Sequence, residues 1–176
     1  MTKLLGLSGS LRAQSSNRKL INAAAQIFAP DSYITGNLRL PLYDGDIETA
    51  QGIPAEVKSL ADHIRAADAV IISTPEYNKA LSGVLKNALD WVSRTDGNPW
   101  VNKPVAIMSA AAGRAGGERA QFSLRLAMVA FRPNLLQGPE LMLADSNNQF
   151  DADGHLINDR AHKTLTALMT DLRALT

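Results

Sequence analysis

No cysteine occurs among the 176 residues. Disulfides, thiolate nucleophiles, iron–sulfur clusters and cysteine-type zinc sites are thereby excluded. The absence permits a cytoplasmic location, which is the expectation here, without demanding it. Charge of neither sign dominates. Lysine and arginine number 18 against 17 aspartate and glutamate, a net charge of +1. Nothing in that balance draws the chain to nucleic acid, and no basic stripe is interleaved with aromatics. No apolar run approaches the ~18 residues of a membrane span, so none is expected to cross one. The opening MTKLLGLSGS places glycine and serine where a signal peptide needs its apolar core. Repeats, low-complexity tracts and linkers are missing too. A single domain over residues 1–176 is expected, long enough for a two-sided core.

What is present is an alternation. Short apolar runs (Leu4–Leu7, a stretch within Ser32–Tyr43, Asp68–Thr74, Pro104–Ala110 and Asn134–Leu143) alternate with segments of helical period. The helical segments are expected at Asn17–Phe28, from Pro54 onward, at Gly83–Ser93, up to Phe131, and at Asp159–Leu175. DAVIIST is a continuous β-branched run, the mark of a strand buried on both faces. Such β-α alternation predicts an α/β fold of three layers. A doubly wound, five-stranded parallel sheet of flavodoxin-like order 2-1-3-4-5 lies between helices. Ligands of such sheets gather at the carboxyl ends of the strands, near the switch point between the first and third. Three unusual loops fall there: Ser8–Ser16, Thr74–Gly83 and Ser109–Gly117.

The first loop, SGSLRAQSSNRK, has the parts of an anion site. A helix N-terminus offers unpaired N–H groups and partial positive charge. Ser10, Ser15, Ser16 and Asn17 add donors, Arg12 adds a guanidinium, and Gly9 is expected to let the backbone approach the anion. Serine and asparagine also cap ordinary helices, but the cluster exceeds what a cap needs. No Gly-Lys-Ser/Thr follows, which removes a Walker-type loop. Gly6 and Gly9 do not form the dinucleotide fingerprint. A phosphatase of this topology needs a cysteine nucleophile. A monophosphate bound but not attacked is the reading left.

Two further runs are specific when taken together. GSLR with Ser15 and Asn17, and PEYN with GVLKNALDW (Pro75–Asn78, Gly83–Trp91), resemble the NAD(P)H-dependent FMN reductase family, which includes bacterial quinone and chromate reductases and azoreductase-like enzymes. SAAAGRAGGERAQFSLR (Ser109–Arg125), LPLYDGDIE and FDADGHL are similar to the same family, in the same order along nearly the whole chain. The resemblance implies a flavodoxin-like fold, bound FMN and a homodimer or homotetramer whose partner chain helps wall the flavin site. By position, Ser10, Arg12, Ser15 and Asn17 would hold the FMN phosphate, with Ser16 beside them. Pro75, Glu76, Tyr77 and Asn78 would line the isoalloxazine edge, largely through backbone groups. Ser109 and the loop through Gly113 and Gly117 would close the other side. Ser82 stands where the family has proline, and serine can cap the helix instead.

The activity so implied is an oxidoreductase: hydride passes from NADPH or NADH to FMN N5. Electrons then go to a quinone, a flavin, an azo compound or a chromate-like acceptor. The cofactor carries the chemistry, so no catalytic side chain is expected. Arg114 and Arg119 flank the expected mouth and would suit a dinucleotide phosphate or an anionic acceptor. Two other classes stand beside this one: an electron carrier of flavodoxin type, for which the charge is too near neutral, and a flavin-free interaction domain. A receiver domain would need acidic residues where the chain has serines and Thr74-Pro75.

The remaining features have plain readings. Lys86 and Asp90 are a surface or interface pair, and Trp91 is packing. Leu124, Leu126, Ala127 and Val129 are core. His63, His155 and His162 have no metal spacing, and Asp151–Gly154 is a turn between short strands rather than a calcium loop.

Overall fold

The computed structural model describes residues 1–176. Strands β1 (Lys3–Ser8), β2 (Ser32–Thr35), β3 (Ala69–Thr74), β4 (Pro104–Ala110), β5 (Asn134–Leu135) and β6 (Leu141–Leu143) form one sheet. Every pairing is parallel. The order is β2-β1-β3-β4-β5, with β6 also on β4, which is the flavodoxin-like order. The helices are α1 (Ser16–Phe28), α2 (Gly45–Gln51), α3 (Ala55–Ala66), α4 (Gly83–Val92), α5 (Glu118–Met128) and α6 (Asp159–Arg173).

The apolar run of β3 explains the three layers. All six of its residues are buried, and successive side chains point to opposite faces. Ala69 and Ile71 enter a core with α1 and α6, while Val70 and Ile72 enter another with α3, α4 and α5. Each core holds 19 buried residues, so neither face of the sheet is left for solvent.

Three local details differ from the sequence expectation. The fifth strand is two pieces: Asn134 and Leu135 pair with Pro104 and Val105, and pairing resumes at Leu141 opposite Met108. Between them lies Gly138-Pro139, and proline has no N–H to give a ladder. The Asp/Gly-rich loop after β2 contains α2, whose Asp44 cap accepts from the Asp46 N–H at 2.9 Å. The stripe on α5 splits. Leu124 is buried and Ala127 packs partly against the core, but Leu126 and Val129 are 75% and 70% exposed.

Other readings hold. Ser82 caps α4, its hydroxyl accepting from the Leu85 N–H at 3.4 Å. Lys86 and Asp90 pair on the surface at 2.6 Å. Trp91 is fully buried. Its Nε1–H donates to the Pro41 carbonyl at 2.8 Å, and the Tyr43 ring meets it edge-on at 5.0 Å. Asn87 donates to the same carbonyl and accepts from the Tyr43 N–H. Thus KNALDW on α4 holds LPLY against the body of the fold.

Candidate functional site

Ladder register aligns the carboxyl ends of the three central strands, with Ser8 opposite Ser73 and Thr74 opposite Ser109. Their loops meet around a cleft of about 240 Å³. Its lining comprises Ser10, Arg12, Ser15, Ser16 and Asn17; Pro75, Glu76 and Tyr77; Ala110–Ala112; and Ser146 with Asn147. Two hollows of about 400 and 410 Å³ lie elsewhere, one along the flanks of α4 and α5 and the other between β6 and the start of α6, and neither is lined by these three loops.

The β1 loop forms the polar wall. Ser15 caps α1, accepting from the Asn17 N–H, and the first turn of α1 has no acidic residue. The backbone N–H groups of Leu11, Ala13, Gln14 and Ser16 have no acceptor within the chain. The hydroxyls of Ser10 and Ser15, 5% and 3% exposed, donate to no protein group. Arg12 is exposed and in no ion pair. This set of free donors and one free cation, with no carboxylate among them, fits a phosphate end.

Two residues of that loop do something other than expected. The Asn17 side chain is a strut. Its Oδ1 accepts from Ser73 Oγ at 2.7 Å and the Ala110 N–H at 3.0 Å, and its Nδ2 donates to the Ala110 carbonyl at 2.9 Å. One amide hydrogen is left over. Gly9 is small for packing. A Cβ there would lie 2.9 Å from Ser82 Oγ and 3.1 Å from Pro75 Cδ, so its missing side chain seats the β1 loop on the β3 loop rather than admitting an anion.

In the second loop Pro75 is buried and Tyr77 half-exposed. Tyr77 and Ala80 exchange backbone hydrogen bonds around Asn78 and Lys79, which have φ of 50° and 68°. That is a type I′ turn, and Asn78 is a residue that tolerates it; it lies outside the lining. Glu76 turns its carboxylate to α5, where Oε2 accepts from the N–H groups of Arg119 at 3.0 Å and Ala120 at 3.4 Å.

In the third loop Ala110, Ala111 and Ala112 line the cleft, while Ser109, Gly113 and Gly117 do not. Ser109 is fully buried, donating to the Gly116 carbonyl at 2.6 Å and accepting from Gln121 Nε2 at 2.9 Å. Gly113 and Arg114 stand exposed on the loop, and Arg119 is exposed at the start of α5. Ser146 and Asn147 are the lining residues that sequence reasoning missed. The Ser146 N–H donates to the Ala111 carbonyl at 3.1 Å, and its own carbonyl accepts from Ser16 Oγ at 3.4 Å. Their signal is the polar DSNNQ directly after an apolar strand, the same strand-end pattern as the other loops.

Elsewhere, Asp151, Asp153 and His155 gather in an exposed turn closed by the Phe150–Leu156 bridge. The His155 N–H holds the Asp151 carboxyl below its ordinary range.

Similarity to known proteins follows the same geometry. Residues 2–148 match the model of the NADPH-dependent FMN reductase family. An NAD(P)H-dependent FMN reductase of Pseudomonas aeruginosa is 42% identical over 165 residues, covering 93% of this chain and 89% of that protein. A quinone reductase of Escherichia coli is 38% identical over 173 residues, covering 96% and 92%. The solved structure of FerB, a flavoenzyme NAD(P)H:(acceptor) oxidoreductase from Paracoccus denitrificans, superposes with a TM-score of 0.88 at 28% identity, covering 99% of this chain and 97% of that one. The chain belongs to the NADPH-dependent FMN reductase family, oxidoreductases whose chemistry joins FMN to a reduced nicotinamide nucleotide.

Proposed function

We propose that the cleft binds FMN and serves an NAD(P)H oxidoreductase that works by a ping-pong sequence on quinones, free flavins, azo compounds or chromate-like oxyanions. The observation that carries this reading is the β1 loop, where the Leu11, Ala13, Gln14 and Ser16 N–H groups, the hydroxyl hydrogens of Ser10 and Ser15, and Arg12 lack protein partners at an α1 terminus with no acidic residue. Ser10, Arg12, Ser15 and Ser16 would hold the phosphate, with Asn17 bracing them from beneath. Backbone groups of Pro75–Asn78 and of Ala110–Gly113, the latter placed by Ser109 and Gly117, would flank the ring. Bound there, FMN would supply the two-electron redox chemistry between NAD(P)H and the second substrate. Pro75 and Tyr77 cover the slot and limit water. Glu76 is the one carboxylate in the lining, and its Oε2 is engaged at α5. Arg114 and Arg119, exposed beside the cleft, would meet the phosphates of the dinucleotide or an anionic acceptor.

A homodimer or homotetramer fits the apolar face of α5. Phe122, Leu126 and Val129 recur at helical spacing and are 52%, 75% and 70% exposed. A cytoplasmic setting fits the absence of cysteine, and no helix is long and apolar enough to cross a membrane.

The test is optical. The purified chain, supplied with FMN, is expected to hold it, bleach with NADPH or NADH without oxygen, and recolour on adding a quinone. Bleaching only through a partner reductase would make it an electron carrier. A chain that never takes up FMN would make it an interaction domain.

A further inference from the structure

We propose that the Glu76 side chain is a positioning residue, a fastener between the β3 loop and α5 that sets the width of the cleft. The inference rests on the FMN reading above. Helix α5 begins without a cap of its own. Its N-cap is Gly117 at φ 91°, which makes no side-chain hydrogen bond. The usual serine or aspartate cannot stand there: a Cβ on Gly117 would lie 2.8 Å from Ser109 Cβ, and the left-handed backbone disfavours any side chain. The first N–H groups of the helix therefore need an acceptor from elsewhere. Glu76 supplies it across 43 residues of sequence, through Oε2 to the Arg119 and Ala120 N–H groups.

The position of Glu76 gives the cap a second consequence. Its neighbours Pro75 and Tyr77 line the cleft, and the tight Asn78–Lys79 turn follows at once. Helix α5 carries Gln121, which holds Ser109 and the Leu141 carbonyl beneath the opposite loop. One carboxylate thus locks two facing walls, and does so from the side chain while the backbone of the same residue stays with the ring edge.

Glu76→Ala and Glu76→Gln are the variants to compare, by titrating apoprotein with FMN and recording the visible circular dichroism of the saturated flavin. Glutamine keeps an acceptor oxygen, so it folds and restores the cap. The expected result is a Kd for FMN about tenfold weaker in Glu76→Ala with an altered flavin spectrum, and a Kd within about threefold of the parent with the parent spectrum in Glu76→Gln. Exchange of the Arg119 and Ala120 amide hydrogens should quicken in Glu76→Ala. A Glu76→Ala protein with lowered melting temperature but parental Kd and spectrum overturns the proposal, leaving a cap and nothing more. Equal impairment in both variants also overturns it, because charge rather than capping would then matter. A parent chain that binds no FMN defeats the functional reading itself, a result distinct from either.

Discussion

Helix α1 begins at the cleft and α5 begins against Glu76 of its lining, yet their N-termini are finished in opposite ways. At α1 the first turn has no acidic residue, and four backbone N–H groups, the hydroxyl hydrogens of Ser10 and Ser15, and Arg12 are unpaired. At α5 Glu118 sits in the first turn and Glu76 accepts from the next two N–H groups. The same backbone dipole is therefore left open at one end and neutralised at the other. Negative charge stands where the helix end is fastened within the chain and is absent where the proposed function would bring an anion from outside.

Breaking the α1 end from beneath should cost most. Asn17→Ala would strand Ser73 Oγ and both backbone groups of Ala110 in a buried setting. At ~1–3 kcal/mol for each unsatisfied group, partly relieved by water, roughly 2–5 kcal/mol of stability should be lost, read by urea unfolding. A more selective break leaves the fold alone. Ser15→Asp replaces one good cap with another, so the melting temperature should hold. FMN affinity should fall about a hundredfold, because a carboxylate now faces the phosphate. The smallest effect lies outside both termini. Glu48 accepts from Arg94 Nε and from the Tyr43 hydroxyl, and the Arg94 hydrogen bond holds its carboxyl below the usual range. Its contribution is present above the unfolded carboxylate pKa and is lost as pH falls through the lowered folded value. Mild acid should therefore loosen the α2 segment in the apoprotein slightly, and Glu48→Gln should flatten that response.

Most of the fold was legible because the physics is local. A β-branched run bounded by proline reads as a doubly buried strand, and its neighbours alternate with it. Pro139 could be seen, but its effect on the ladder depends on register, which the sequence does not state. Helix α2 was missed because seven residues with no buried face carry little periodic signal. In the site, Ser10, Arg12 and Ser15 were legible because they exceed what a cap requires. The work of Asn17, Gly9, Ser109 and Gly117 was not, because it lies in contacts with distant parts of the chain. Tertiary packing also decided which apolar residues of α5 face inward: Leu124 does, Leu126 and Val129 do not.

The central claim is that the α1 terminus exists to hold a phosphate. FMN and riboflavin differ by that group alone, so their affinities for the same apoprotein test it directly. The account predicts that FMN binds at least about a hundredfold more tightly than riboflavin, since a charge-assisted contact of ~1.5–3 kcal/mol and several neutral ones are lost with the phosphate. It also predicts that Arg12→Ala narrows the gap about tenfold, chiefly by weakening FMN. Equal affinity for the two flavins, or a gap untouched by Arg12→Ala, would contradict it.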